Sequence, residues 1–252
     1  MGKCGTHQLA HALKSIGIES YAEFLDIKPI YLKWMRNRFT NKSKIIAKEA
    51  LSLWGNDLLE VFKHNDCFAD VGHYLGPIYP VVDELCKENN ISVTCVHLTR
   101  NFWPQRLLSY NDPSNYAYNP KKVDIDTIHD YIETYYYCEQ SWCSTISWKK
   151  WLSISPFERL CRLWTSYNEY FLLSGRRIFH SENFNNEYKD ILYQLYPEAT
   201  FEQQKVFGSA LYRNRLQPQD ADPAYYIQMT LEEEKIYDKI CGKTLEKLGY
   251  GV

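Results

Sequence analysis

The sequence predicts an α/β fold in a single domain that spans residues 1–252. Helical apolar spacing recurs along most of the chain and alternates with short segments that have the composition of buried strands. The clearest strand is Ile91–Leu98, which is β-branched, mostly apolar and preceded by a helix-like stretch. No internal repeat or low-complexity linker interrupts this order. We therefore expect a mostly parallel central sheet surrounded by many helices.

Helix boundaries are signalled at several points. Apolar residues three and four apart predict helices at Thr6–Ile16, which Gly17 ends, and at Pro77–Asn89. The run Ser155–Glu158 combines an N-cap serine, a first-turn proline and a capping-box glutamate. Further helices are predicted within Pro29–His64 and Asp124–Tyr137. Capping boxes at Thr200–Gln203 and Thr230–Glu233 predict the starts of two more, and the last helix is predicted to end at Leu248-Gly249. Asn111–Asn119 is typical of a loop, and Arg177–His180 predicts a second short strand.

Composition excludes several classes of protein. The 29 Lys and Arg nearly balance 31 Asp and Glu, so no global positive field exists to attract a nucleic acid. The sequence contains no long uncharged apolar run, so no membrane span is predicted. Residues 1–17 lack the pattern of a signal peptide. The eight cysteines have no repeating spacing and are expected to be reduced thiols. We expect a cytoplasmic protein without a nucleic-acid partner.

The first candidate site is the run Gly2–His7, a small basic segment that leads directly into a helix. Backbone N–H groups at a helix start attract anions, Lys3 adds a positive charge, and Thr6 offers a hydroxyl. A phosphate would fit there, although Gly5-Thr6 is equally an ordinary helix cap. The GxxxxGK[ST] motif of nucleoside-triphosphate P-loops is absent.

The second candidate site follows the predicted strand. Arg100 comes just after the strand's carboxyl end, which is where open α/β sheets bind ligands, and Ser109 lies nine residues further on. Both side chains suit one phosphate group. The alternative is a structural ion pair for Arg100 and a solvated position for Ser109.

Taken together and in order, these motifs resemble the PAPS-dependent sulfotransferase family, where PAPS is 3'-phosphoadenosine 5'-phosphosulfate. Lys3-Cys4-Gly5-Thr6-His7 is similar to the family's Lys-Ser-Gly-Thr-Thr, and Arg100-Asn101 with Ser109 is similar to its Arg-[Asp/Asn]-Pro and serine. Pro156–Asn168, Ile178–Phe184 and Leu248-Gly249-Tyr250 also resemble family segments, so the resemblance covers almost the whole chain.

The resemblance implies a P-loop-type three-layer fold and transfer of a sulfuryl group from PAPS to a hydroxyl or amine of a small-molecule or carbohydrate acceptor. It implies that Lys3 to His7 bind the 5'-phosphosulfate and that Arg100 and Ser109 bind the 3'-phosphate. The product nucleotide would be adenosine 3',5'-bisphosphate. The family's catalytic base lies between the two motifs, where Phe68–Leu75 offers His73 first, because of its near-neutral pKa, and Asp70 second.

The sequence departs from the family pattern in ways that keep alternatives open. Cys4 and His7 replace a serine and a threonine, and we expect the strand before Lys3 to be absent or supplied differently, since Met1 stands two residues earlier. A catalytically inactive nucleotide-binding protein is therefore an alternative, and a P-loop small-molecule kinase is another. His7 and His11 lie four residues apart without a third ligand, so no metal site is expected.

Overall fold

The computed structural model describes residues 5–22, 55–57, 59–61, 63–71, 75–101, 146–215 and 229–250. The chain divides into two compact units, one within 1–100 and 177–217 and the other within 101–176 and 218–252. The predicted mixture of helix and parallel sheet is confirmed, with helix predominating and with short strands. In these described ranges no helix has the length and apolar character needed to cross a membrane.

In the part of the chain that the structure describes, the first unit contains four α-helices of defined extent, which we number α1, α2, α5 and α6, and four strands. The helices are α1 Thr6–Ser15, α2 Leu75–Glu88, α5 Phe184–Leu195 and α6 Phe201–Arg215, and the strands are β1 Glu19–Tyr21, β2 Phe68–Asp70, β3 His97–Thr99 and β4 Ile178–His180. The strands form two parallel pairs, β1 with β2 and β3 with β4. Residues 55–57, 59–61, 63 and 64 are also helical.

Helix α1 ends as its sequence predicts. Gly17 adopts a left-handed φ of 90°, its N–H donates to Lys14 O, and the N–H of Ile18 donates to Leu13 O. These two bonds satisfy carbonyls that the last turn would otherwise leave unpaired. The reversal turns the chain directly into β1, where the Ser20 hydroxyl donates to the carbonyl of Ala10 in α1.

The core of the first unit joins α1, β4, α5 and α6. Leu13, Phe184, Ile191 and Phe207 are each at most 1% exposed. Ala69 in the middle of β2 and Leu98 in the middle of β3 are partly buried and pack against the same cluster. Burial at about 25 cal/mol per Å² of apolar surface makes this cluster the main stabilising feature of the unit.

The second unit contains α3 Trp148–Ser153, α4 Pro156–Leu173 and α7 Leu231–Lys247. The Ser155 hydroxyl accepts a hydrogen bond from the N–H of Glu158, which confirms the predicted N-cap of α4. The Glu158 carboxylate, however, lies 2.8 Å from a guanidinium nitrogen of Arg162 one turn later. Glu158 therefore pairs along the helix, where charges four residues apart face each other.

The capping boxes that begin α6 and α7 are confirmed. Thr230 accepts from the N–H of Glu233, whose carboxylate accepts from the N–H of Thr230 at 2.8 Å. Gln203 and Thr200 make the equivalent pair of bonds before α6. Each pair satisfies two backbone donors that a helix start would leave without partners.

Two predicted boundaries need correction. Strand β3 begins at His97, so most of the predicted strand Ile91–Leu98 is not strand. The N–H of Ile91 donates to Cys86 O, so the end of α2 uses the first backbone group of that segment. Residues 91–96 are partly or fully exposed, and no strand among the described residues pairs with them. Helix α2 begins at Leu75, two residues before Pro77.

Candidate anion-binding site

Gly5 forms the turn that begins α1. Its φ of 80° and ψ of 18° are left-handed, a conformation that favours glycine, and its carbonyl accepts the first helical hydrogen bond from Leu9 N at 2.9 Å. The first turn of α1 contains no acidic side chain. The N–H groups of Thr6 and His7 therefore lie at the positive end of the helix dipole without a carboxylate on the same turn.

Phe184 closes the inner side of this turn. A Cβ added to Gly5 would lie 2.7 Å from Cε2 of Phe184, closer than real Cβ atoms approach other atoms, and 3.3 Å from Oε1 of Gln8, which is a tight contact. The Phe184 ring is 1% exposed and belongs to the core of the first unit. Both the backbone conformation and the packing of the turn therefore require glycine at this position.

The ring that closes the turn belongs to the segment that follows β4. Phe184, which contacts Gly5, comes four residues after His180, the last residue of β4. His180 pairs in parallel register with Thr99, the last residue of β3. The Gly5 turn therefore packs against the first residue of the helix that follows β4, and β3 and β4 end in register, at the kind of strand end where α/β proteins bind ligands.

Arg100 follows β3 directly, as the sequence predicts. Its predecessor Thr99 is 1% exposed and forms the last β3–β4 pair, which holds the backbone at this point. Arg100 itself is half-buried. A guanidinium at the carboxyl end of a parallel strand offers paired N–H donors that match a phosphate group.

Glu187 holds the turn between β4 and α5. One carboxylate oxygen accepts from the N–H of His180 at 3.3 Å, and the other accepts from Nδ2 of Asn183 at 3.2 Å. Ser181 between them is buried. The result is a stable connection from the strand end to Phe184, a role that the sequence did not reveal because it depends on the folded turn.

Asp70 is the last residue of β2, and it is partly buried. The following residue, Val71, donates its N–H to Tyr21 O at 2.9 Å, which continues the β1–β2 pairing past Asp70. Asp70 thus also occupies the carboxyl end of a parallel strand in the first unit. Its role as second-choice base stays a prediction.

Several predicted site residues lie outside the described part of the chain, namely Lys3, Cys4, His73 and Ser109. Their roles stay predictions. The structure describes Gly5, Thr6, His7, Asp70 and Arg100, all in the first unit. His7 and His11 are both exposed, and the described residues contain no group of three side chains that suits a metal ion.

Comparison of the chain with protein-family models, curated proteins and solved structures finds no match. The site therefore has to be interpreted from its own chemistry. That chemistry is a glycine turn at a helix start, an arginine at a strand end, and a carboxylate at a second strand end.

Proposed function

We propose that this protein is a PAPS-dependent sulfotransferase that transfers a sulfuryl group to a hydroxyl or amine of a small-molecule or carbohydrate acceptor. The observation that supports the proposal most is the Gly5 turn, which begins α1 against Phe184. Arg100 at the end of β3 adds a second anion-binding group in the same unit. A P-loop-type three-layer fold is part of the proposal, since such folds bind anions at this type of turn.

The residues present suit a nucleotide with two separate anionic groups. The N–H groups after Gly5, together with Lys3, Cys4, Thr6 and His7, would hold the 5'-phosphosulfate. Arg100 and Ser109 would hold the 3'-phosphate. The absence of acidic side chains in the first turn of α1 matches this use, because a carboxylate there would repel the anion.

PAPS, when bound, supplies the sulfuryl group, and the chain supplies position and charge. Lys3 would neutralise charge on the phosphate oxygen from which the sulfur–oxygen bond breaks. The new bond forms between sulfur and the acceptor oxygen or nitrogen, roughly in line with the breaking one. The acceptor's proton passes to a base, for which His73 is the first choice and Asp70 the second.

Nucleotide titration tests the proposal. We would measure dissociation constants of the purified chain for adenosine 3',5'-bisphosphate, for adenosine 5'-monophosphate and for ATP with Mg²⁺. The bisphosphate should bind most tightly. A charge-assisted hydrogen bond contributes about 1.5–3 kcal/mol, so Arg100→Ala should weaken bisphosphate binding by about 10- to 150-fold. The same variant should leave monophosphate binding nearly unchanged.

The chain offers matched controls for both charged groups. Arg177 precedes β4, so it stands at the opposite end of the same strand pair from Arg100, and it contacts Asp190 at 3.6 Å. Lys14 lies in the last turn of α1, whereas Lys3 precedes its first turn. Arg177→Ala and Lys14→Ala should bind the bisphosphate like the wild type, while Lys3→Ala should not.

The outcomes separate the three candidate functions. Bisphosphate binding with sulfuryl transfer from PAPS to an acceptor in a screen of hydroxyls and amines supports the proposal. Binding without transfer from PAPS to any acceptor or to water supports a catalytically inactive nucleotide-binding protein. Preferential binding of ATP with Mg²⁺ would overturn the proposal in favour of a small-molecule kinase.

A further inference from the structure

Helices α4 and α7 of the second unit bring two cysteine side chains into contact. Cys161 of α4 and Cys241 of α7 are both fully buried, and both are free thiols. The Cys241 thiol lies 3.7 Å from the Cys161 carbonyl oxygen, to which it donates, and the two thiols are hydrogen-bonded to each other. The two positions are 80 residues apart in the sequence, so the contact exists only because the two helices pack together.

Further contacts hold α4 and α7 together beside the two thiols. The hydroxyl of Thr165, one turn after Cys161, donates to Ile240 O at 3.3 Å and lies 3.5 Å from Sγ of Cys241. One turn later, the Glu169 carboxylate accepts from the buried Thr244 hydroxyl at 3.1 Å and from Lys247 Nζ at 3.2 Å. A disulfide needs two sulfur atoms that face each other from neighbouring backbones, and this packing supplies that arrangement.

The same packing protects both thiols from oxidants in solution. Neither side chain is exposed, and the hydrogen bond with Cys241 together with burial raises the pKa of the Cys161 thiol. Thiol–disulfide exchange requires a thiolate that can reach the disulfide it attacks, so the packed pair does not react. Reaction therefore requires that α7 first separates from α4, as a helix does when a protein unfolds locally.

We propose that Cys161 and Cys241 form a redox-controlled cross-link that fastens α7 to α4, whatever the protein's activity. When α7 opens, the thiolate of one cysteine attacks oxidised glutathione, whose S–S bond breaks; one glutathione leaves and a mixed disulfide remains. As α7 docks again, the thiolate of the other cysteine attacks the cysteine sulfur of that mixed disulfide, and the second glutathione leaves. Oxidised glutathione is thereby reduced to two thiols, while the two cysteines lose two protons and two electrons to become one disulfide.

Mass spectrometry after incubation with glutathione tests the inference. The full chain is incubated with excess oxidised glutathione at several urea concentrations below its unfolding transition, free thiols are blocked with N-ethylmaleimide, and trypsin is added. Trypsin cuts on both sides of each cysteine, so the cross-link joins the short peptides Leu160–Arg162 and Ile240–Lys243. The joined peptides should accumulate, and faster with more urea, because urea favours opening. Thiols that stay free, or stop at the mixed disulfide, at every urea concentration in a chain that circular dichroism shows to be folded would overturn the inference.

Matched variants show whether the packing of α7 controls the reaction. Cys241→Ser should abolish the joined peptides, whereas Cys86→Ser, at a thiol of the first unit that is 2% exposed, should leave them unchanged. Glu169→Ala removes the acceptor that Thr244 and Lys247 use, so it should speed cross-linking without urea by about two- to tenfold, the factor that corresponds to one lost hydrogen bond. Glu202→Ala, the same change at an exposed site on α6, should not alter the rate. An unchanged rate in Glu169→Ala would overturn the opening step.

The melting temperature provides an independent measurement of the cross-link's effect. A bond between positions 80 residues apart stabilises the folded chain mainly by restricting the unfolded one. The cross-linked chain should therefore melt about 5–15 °C above the reduced chain. The difference should disappear in Cys241→Ser. An equal or lower melting temperature in a sample that mass spectrometry shows to be cross-linked would overturn the role of the bond in fastening α7 to α4.

Discussion

Replacing Gly5 with alanine tests the packing of the turn that begins α1. Two costs add at this position. A left-handed backbone conformation costs a residue with a Cβ about 1–2 kcal/mol. The new Cβ would also lie 2.7 Å from Cε2 of the buried Phe184 ring, and such overpacking costs about 1–3 kcal/mol. We therefore expect Gly5→Ala to lower the free energy of unfolding by about 2–5 kcal/mol.

Two other glycines of the first unit separate these costs. Gly17 has a φ of 90° and open space around its Cβ position, so Gly17→Ala carries the backbone cost alone. Gly208 in α6 has no positive φ, but its Cβ would lie 2.8 Å from Cε2 of Tyr188. Gly208→Ala therefore combines the steric cost with the gain of about 0.5–1 kcal/mol that alanine brings to a helix.

Equilibrium urea unfolding followed by tryptophan fluorescence and circular dichroism provides the measurement. The expected order of stability loss is Gly5→Ala largest, with Gly17→Ala and Gly208→Ala both smaller. Phe184→Leu should reduce the effect of Gly5→Ala, because residues in contact give non-additive changes. A Gly5→Ala loss no larger than that of Gly17→Ala would refute the packing of Phe184 against the turn.

The remaining predictions concern the second unit. Thr230→Ala should lower the free energy of unfolding by about 1 kcal/mol, because it removes the capping box with Glu233; urea unfolding checks this, and no change would contradict the cap. Gly242→Ala should raise the free energy of unfolding by about 0.5–1 kcal/mol, since Gly242 lies inside α7 and no atom lies within 4 Å of its Cβ position. The hydrogen bond with Cys241 and burial raise the pKa of the Cys161 thiol. The folded chain therefore keeps that proton while the unfolded chain loses it above about pH 8.5, and stability should fall by about 1.4 kcal/mol per pH unit from there. Urea unfolding at pH 7 and 10 should show a slope that Cys161→Ser reduces, and an equal slope in the variant would contradict the shift.

Helix ends were the most predictable part of the fold. Gly17, the Ser155 cap and the box at Thr230 all act over three or four residues, so their hydrogen bonds are determined locally and the sequence alone shows them. Strand lengths were not predictable. A strand exists only where another chain segment offers its hydrogen bonds, which is why β3 begins at His97 and not at Ile91.

The candidate site was predictable in its parts and not in its assembly. Gly5 and Arg100 were identified because a glycine before a helix and an arginine after a strand are local patterns. The long-range contacts near them in the sequence were missed. Phe184 is 179 positions from Gly5, and Tyr237 is 136 positions from Asn101, so no local pattern connects either pair.

The sequence by itself determined the kinds of element in this protein, the ends of its helices and the residue types available to bind an anion, because these depend on backbone geometry and on neighbours within one helical turn. The tertiary structure decided which strands pair, which aromatic ring closes the Gly5 turn and which hydroxyl holds Asn101. Those features depend on close packing between distant segments, where a contact of 2.7 Å results from the fold of a whole unit.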